Sequence, residues 1–310
     1  MRHVRLLRLI LLCVAGAVHG CATAPAQAPA PADLSLDVLK NLAYTGISED
    51  GSAMRLRDGR WEGEPPEPGS AAVPTLDFSG ERVARGDLDG DGLAEAVVVL
   101  DSWTGGSGVF SYIAVVSGRT GKALNTATQL LGDRVQVRES RVDDGRVVVD
   151  LRGPGPDDPS CCPSMSIRQV WTLGDGKLQE RAAERRSART TVRELEGSHW
   201  ELARWSADEP AAPAPVVSLS YAEGRFSGHA GCNRYGAAVR DAEAAGSLVV
   251  SPGMATRMAC EEPRMGIENR FLRTLPTVQA FRFSSGMLML TYRREDGSGA
   301  ELWFRPVAAP

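Results

Sequence analysis

The chain has 310 residues, of which 43% are hydrophobic, so it is long enough to form two domains with apolar cores. Acidic residues outnumber basic ones by 39 to 35, and the formal net charge is −4. An acidic surface repels phosphate backbones, so the composition argues against nucleic acid as a partner.

Residues 1–20 are predicted to be a lipoprotein signal peptide. Three arginines precede an apolar run at 9–18, which is too short to span a bilayer. The sequence Val18-His19-Gly20-Cys21 resembles the lipobox of bacterial lipoproteins, with His19 as a departure from the usual small residue. The resemblance implies that Cys21 carries lipid, including palmitate. The alternative is an ordinary secretory signal that leaves Cys21 as a free thiol.

A tether is predicted at residues 21–33, which include the run ATAPAQAPAPA. Ala22 follows the cysteine, and the sorting rule for bacterial lipoproteins assigns such chains to the outer membrane, facing the periplasm. The membrane, reached through the lipid anchor, is therefore one predicted partner.

A β-rich periplasmic domain of unknown role is predicted for residues 34–180. The apolar spacing over 34–42 indicates a short helix, and strand-like runs follow it between turn residues. Those runs cover 54–56, 60–61, 94–100, 110–116, 134–137, 146–151 and 167–173. Asp144-Gly145 and Gly174-Asp175-Gly176 predict hairpin turns.

An acidic loop in this domain has the spacing of calcium ligands. Asp87, Asp89, Asp91 and Glu95 take loop positions 1, 3, 5 and 9, with a glycine at position 6. Position 12 lacks an acid and a strand follows, so the loop resembles the acidic hairpin of FG-GAP or VCBS-type repeats rather than an EF-hand. The hypothesis is a calcium-binding or calcium-like turn, and apart from this candidate no cofactor is predicted. The alternative is a hairpin turn that Asp and Gly form without a metal.

Cysteine usage favours disulfides in an exported chain. Cys161 and Cys162 are adjacent in a Pro-rich turn, where a vicinal disulfide is one interpretation and free or separately paired thiols are the alternatives.

Residues 181–192 are charged and short of large apolar side chains, so we predict a linker there; the alternative is a surface helix that continues the first domain. Strand-like runs resume at 216–221, 225–231, 248–251, 280–283, 287–292 and 301–304. An amphipathic helix is predicted within 261–275.

The second region carries a set of motifs in a fixed order. They are Leu195/Gly197/Trp200/Leu202, then Gly224/Ser227/Gly228/Gly231/Cys232/Asn233/Gly236, then Met254/Thr256/Met258/Ala259/Cys260, and finally Leu288/Leu290. This order resembles the META domain family, also called HslJ-like, over residues 193–306. The strand-like runs predict a mainly β chain of two small β-rich domains, and the resemblance implies that the C-terminal one is an α+β domain with a curved antiparallel sheet or incomplete barrel packed on one helix. Gly228, Gly231, Asn233 and Thr256 are the motif residues expected to shape its turns.

Cys232 and Cys260 are expected to form a disulfide within this domain. Two reduced thiols are the alternative. A zinc cluster or a nucleophile built with His229 is less consistent with the sequence, because the expected ligand pairs and nucleophile elbow are missing.

The resemblance implies a non-enzymatic envelope lipoprotein with a binding or scaffold role in heat-shock and cell-envelope stress or novobiocin-type antibiotic tolerance. An envelope protein is the expected partner. Two alternatives stay open, a periplasmic hydrolase and a chaperone-like or inhibitor module that binds a protein.

Overall fold

The computed structural model describes residues 30–65, 72–78, 83–106, 108–155, 158, 163–187 and 189–308. The predicted signal peptide, Cys21, most of the tether and the Cys161–Cys162 pair lie outside these residues. No helix in the described part of the chain is both long and apolar enough to cross a membrane.

The N-terminal half is built almost entirely from strands. Its elements are α1 (Leu36–Leu39), β1 (Ala43–Tyr44), β2 (Met54–Arg55), β3 (Arg60–Glu62), β4 (Thr75–Asp77), β5 (Ala84–Gly86), β6 (Glu95–Trp103), β7 (Phe110–Ser117), β8 (Leu124–Asp133), β9 (Gln136–Asp143), β10 (Arg146–Gly153), β11 (Met165–Gly174) and β12 (Lys177–Ser187). Strands β3 to β8 form a six-stranded sheet, and β9 to β12 form a four-stranded antiparallel sheet.

Strand β6 is buried on both faces, which explains its unbroken apolar sequence. Val97 and Val99 pack towards the four-stranded sheet, where they meet Val147 and Trp171 in one core. The alternate residues of β6 belong to a second core, which α1, β1 and β2 cover. Successive side chains of a strand point to opposite faces, so one strand contributes to both cores.

The hairpin turns follow the chemistry that the sequence predicted. Asp144 and Gly145 have φ values of 49° and 67°, and Asp175 and Gly176 have values of 51° and 68°. Two successive positive φ angles match the right-handed twist of the paired strands. These turns join β9 to β10 and β11 to β12.

Three local predictions are wrong in their bounds. The helix predicted over 34–42 is shorter, spanning Leu36–Leu39. Arg134, predicted to be in a strand, has a φ of 51° and lies in the turn between β8 and β9. The linker predicted at 181–192 does not begin at 181, because β12 pairs with β11 as far as Ser187. An edge strand exposed to solvent accepts charged side chains, so its charge pattern resembles that of a linker.

The C-terminal half forms a nearly closed antiparallel barrel. Its elements are β13 (His199–Ser206), β14 (Glu209–Pro210), β15 (Ser218–Ala222), β16 (Arg225–His229), β17 (Arg234–Asp241), β18 (Leu248–Val250), β19 (Met254–Ala255), α2 (Arg264–Thr274), β20 (Val278–Ser284), β21 (Met287–Arg293) and β22 (Gly299–Val307), with 3₁₀ segments at Val192–Leu195 and Leu275–Thr277. The main sheet order is β18-β17-β16-β15-β13-β22-β21-β20.

The two ends of this sheet meet at a narrow seam. The amide of Phe281 donates to the carbonyl of Gly246 at 2.8 Å, and Ser247 forms a bridge with Ala280. Helix α2 inserts the fully buried Phe271 into the barrel core, where its ring meets Tyr235 edge to face. The predicted fold, mainly β with a curved sheet packed on a helix, is confirmed.

Candidate functional site

Asn233 is the centre of a buried polar network at one end of the barrel. It is 1% exposed and lies in the loop between β16 and β17. Its side-chain oxygen accepts hydrogen bonds from the Thr256 hydroxyl at 2.7 Å and the Met258 amide at 2.8 Å. Its φ is not positive, so the left-handed turn that Asn could have formed is not used. The side chain acts as a cap for the segment after β19.

Glu268 completes this network from helix α2. Its carboxylate accepts from the backbone amide of Asn233 at 2.5 Å and from the side-chain amide at 3.0 Å. The side chain is 5% exposed, so the charge is buried and these hydrogen bonds replace its water. Sequence reasoning predicted an amphipathic helix within 261–275, which contains Glu268, and gave that residue no role. An acid at an inward position was the available indication.

The two motif glycines permit close packing beside this network. A Cβ on Gly228 would lie 2.2 Å from the carbonyl oxygen of Ser218 on the neighbouring strand. Gly231 has a φ of 118° and faces helix α2, where a Cβ would lie 3.2 Å from a methyl group of Ile267. Both positions therefore require glycine for a physical reason that is independent of catalysis.

Cys232 and Cys260 form a disulfide, with a Cα–Cα distance of 6.0 Å. The bond ties the Asn233 loop to the segment that leads into α2. It also takes away both thiolates that a zinc cluster or a Cys232–His229 nucleophile would need. The family motif thus forms a structural clasp of a disulfide, an Asn–Glu pair and close glycine contacts.

The acidic loop lies before β6 in the N-terminal half. Asp87, Asp89 and Glu95 can each supply one oxygen, and these atoms lie within 4.8 Å of one another. Asp91 is outside this group; its carboxylate and that of Asp89 lie 3.7 and 3.9 Å from the guanidinium of Arg119. The structure therefore brings together three of the four residues that the spacing indicated.

Glu95 is the buried member of this loop, at 1% exposure. Its Oε2 accepts a hydrogen bond from the Leu88 amide at 2.9 Å. Burial raises the pKa of Glu95, and the nearby charge of Asp89 adds to that rise, although the Leu88 hydrogen bond opposes it. A site that concentrates negative charge in this way favours a bound cation.

A cleft of about 450 Å³ separates the four-stranded sheet from the barrel. Both sides contribute to it. The lining residues are Arg138, Glu139, Asp150, Leu151, Ser166, Arg168, Glu194, Gly197, Ser198, His199, Trp200, Phe283, Pro306 and Val307. Sequence reasoning missed this cleft, because its residues come from distant segments that only the tertiary structure brings together.

Ion pairs and aromatic rings characterise the cleft. Asp150 pairs with Arg168 at 2.7 Å and with Arg141 at 2.8 Å. The guanidinium of Arg138 lies 5.1 Å from the centre of the Phe283 ring. Burial alone would raise the pKa of Asp150, but hydrogen bonds and positive charge from Arg168 and Arg141 outweigh it and hold the pKa below its ordinary value.

Direct contacts hold the two halves beside this cleft. Arg152, which is 3% exposed, is paired with Glu194 of the first 3₁₀ segment. The Gly286 amide donates to the carbonyl of Val137 at 2.9 Å, and the Ser285 hydroxyl donates to Asp101 at 2.7 Å. The cleft therefore has walls that are fixed by buried polar contacts.

Comparison with known families agrees with the clasp geometry. Residues 193–304 match the META domain model. No curated protein and no solved structure gives a significant match to the chain. The matched range begins in the first 3₁₀ segment and ends within β22, so it contains the whole clasp. Residues 193–304 of this chain are therefore a META domain.

Proposed function

We propose that this chain is a lipid-anchored binding protein of the outer membrane, facing the periplasm, that captures an envelope protein partner without catalysing a reaction. A META domain is consistent with an envelope-associated protein. The predicted lipid on Cys21 and the predicted tether support the location. A role in heat-shock and envelope stress, or in novobiocin-type tolerance, follows from the family resemblance.

The observation that carries the binding role is the cleft between the META domain and the four-stranded sheet. Its floor includes Trp200 and Phe283, which are almost fully buried, and its rim carries charged side chains such as Arg168. The aromatic rings expose little surface, so the charged side chains provide most of the contact area and orient a polar partner. The chemistry suits a polar peptide segment that carries charged residues.

Site-specific crosslinking tests this role. A photoreactive amino acid replaces Arg168, whose side chain is 52% exposed in the cleft, in the lipidated chain in its native envelope. The matched control carries the same amino acid at Arg240, an exposed position on β17, which two strands separate from β13. We expect a discrete protein adduct from position 168 and none from position 240. Equal adducts at both positions, or none at 168, would contradict the proposal.

The anchor has its own test. Cys21→Ser removes the thiol that lipid requires, so we expect loss of labelling by palmitate and release of the chain from the membrane fraction. Cys13→Ser, within the predicted signal peptide, is the control and should leave labelling intact. Continued membrane attachment of the Cys21→Ser chain would contradict the proposal that Cys21 carries the lipid anchor.

One contact favours the hydrolase alternative. His199 lines the cleft, and its Nδ1 lies 2.8 Å from the hydroxyl of Ser220 on the adjacent strand β15. A hydrolase that used this pair would lose turnover of model esters or peptides on His199→Ala, whereas His229→Ala would serve as the matched control. A chain that binds its partner and shows no turnover before substitution favours the binding role.

A further inference from the structure

The acidic loop carries a second observation besides its cluster of carboxylates. Glu95 is 1% exposed, and among the described residues its Oε1 has no hydrogen-bond partner of normal geometry, although the nearby Ser117 hydroxyl acts to lower the pKa of the carboxyl. The same side chain lines a cavity of about 370 Å³ together with Asp89 and Ser117. Buried carboxylate oxygens are normally satisfied by a donor or a cation, so this oxygen indicates a ligand.

We propose that this loop is a calcium site in which Asp87, Asp89 and Glu95 supply carboxylate oxygens. Each of the three offers one oxygen, and these atoms lie within 4.8 Å of one another. The proposal is independent of the binding role assigned to the cleft, which has a different set of lining residues.

The chemistry of the ligand atoms indicates which cation this loop binds. All three side chains offer hard oxygen ligands, which suit calcium or magnesium rather than a transition metal. The loop is partly exposed, and its exposed member Asp89 leaves room for water in the coordination shell. Calcium accepts irregular geometry with several waters, whereas magnesium demands a near-ideal octahedron. Calcium is therefore the ion that this loop fits.

Backbone hydrogen bonds hold the loop in shape. Asp87 accepts from the amides of Gly90 at 2.7 Å and Gly92 at 3.0 Å. Each carboxylate oxygen has more than one lone pair, so these bonds leave acceptor capacity for a cation. The loop geometry is thus already organised, and a bound ion would order few additional residues.

The positively charged side chain of Arg119 competes with calcium for the Asp89 carboxylate. Its guanidinium is 3.9 Å from Asp89 and 3.7 Å from Asp91, and its side chain is 62% exposed. Such exposed pairs contribute little to stability and are easily displaced. Removal of the guanidinium should therefore tighten calcium binding while the ligands stay unchanged.

Isothermal calorimetry and thermal unfolding of the full chain with calcium alone provide the test. We expect a Kd on the order of 10⁻⁴ to 10⁻³ M, as in other extracellular calcium modules, and a rise in Tm at saturating calcium. Glu95→Gln keeps the shape of the side chain and should weaken binding about tenfold or more. Arg119→Gln should tighten it by roughly twofold to fivefold. Glu223→Gln, an equal charge change in an exposed turn of the META domain, should have no effect.

The outcomes separate a site from diffuse ion attraction. Absence of heat and of a Tm rise at millimolar calcium would overturn the proposal, as would a rise that magnesium or added sodium reproduces. Equal affinity of Glu95→Gln and the wild-type chain would also overturn it. If Glu95→Gln does not fold, Asp89→Asn provides the same comparison at an exposed ligand.

Discussion

The carboxylate of Glu268 accepts hydrogen bonds from both the backbone amide and the side-chain amide of Asn233. The pair joins helix α2 to the loop between β16 and β17, next to the disulfide of Cys232 and Cys260. The most recognisable residues of the motif therefore hold the helix on the barrel. The residues that identify the META pattern are thus also residues that stabilise the domain.

Asn233→Ala should destabilise the chain by about 3 kcal/mol, because it removes the side-chain donor to the buried Glu268 carboxylate and the oxygen that accepts from Thr256 and Met258, while the backbone amide still donates to Glu268. Glu268→Gln should cost about 1 to 3 kcal/mol, since an amide can accept only part of what the carboxylate accepts. Urea unfolding of both variants measures these losses.

The double variant is the control for this pair. Because both substitutions disrupt the same side-chain contact, the combined loss should be smaller than the sum of the single losses. Additive losses would show that the two residues act separately and would contradict the role assigned to the pair.

We expect the disulfide to contribute about as much to the stability of the chain as the Asn233–Glu268 pair does. Cys232→Ala/Cys260→Ala opens a loop with a sequence separation of 28 residues. Chain entropy then predicts a loss of about 3 to 4 kcal/mol, measured by urea unfolding. Added reductant should lower the stability of the wild-type chain to that of the double variant. An unchanged unfolding midpoint in the double variant would rule out a stabilising bond.

Gly228→Ala tests the close strand contact. The added Cβ would lie 2.2 Å from the Ser218 carbonyl oxygen, and the backbone there cannot move without disturbing the β13–β15 pairing. We expect a loss of about 2 to 3 kcal/mol. Gly253→Ala is the matched control, because its Cβ would meet its nearest atom at 3.6 Å, an ordinary contact, and should change stability by under about 0.5 kcal/mol. Equal stability of the two variants would refute the steric argument.

Sequence patterns predicted the turns and strands that depend on residues close together in the chain. The Asp144-Gly145 turn has φ values of 49° and 67° and joins β9 to β10, as its residue types indicated. Strand β17 was missed, although its residues alternate between buried and exposed. Small side chains such as Ala237 weaken the apolar pattern that a strand prediction requires.

The candidate sites were predictable to different degrees. The acidic loop could be found from spacing, since its residues lie within one short segment. The cleft could not, because Arg138 and Phe283 meet only after the two halves pack. Glu95 likewise lies beside Ser117, Thr126 and Gly174, which are distant from it in sequence, so its burial could not be predicted from spacing.

Asp150 makes the stability of the chain dependent on pH. Its folded-state pKa is below the ordinary value of 3.8, which is the value expected for the unfolded chain. The ion pairs with Arg168 and Arg141 therefore contribute fully above pH 3.8, and this contribution is lost as pH falls through the folded-state pKa. We expect Asp150→Asn to be less stable than the wild-type chain at neutral pH and the difference to shrink below pH 3.8. Urea unfolding across this pH range measures the difference.

Arg168→Gln provides the control for this titration. Removal of its guanidinium takes away one hydrogen-bond donor and one positive charge, so the pKa of Asp150 should move back towards its ordinary value. The stability difference between Arg168→Gln and Arg168→Gln/Asp150→Asn should then depend less on pH than the difference between the wild-type chain and Asp150→Asn. An identical pH dependence in both pairs would show that Arg168 does not set the pKa, and the electrostatic description of this wall of the cleft would be wrong.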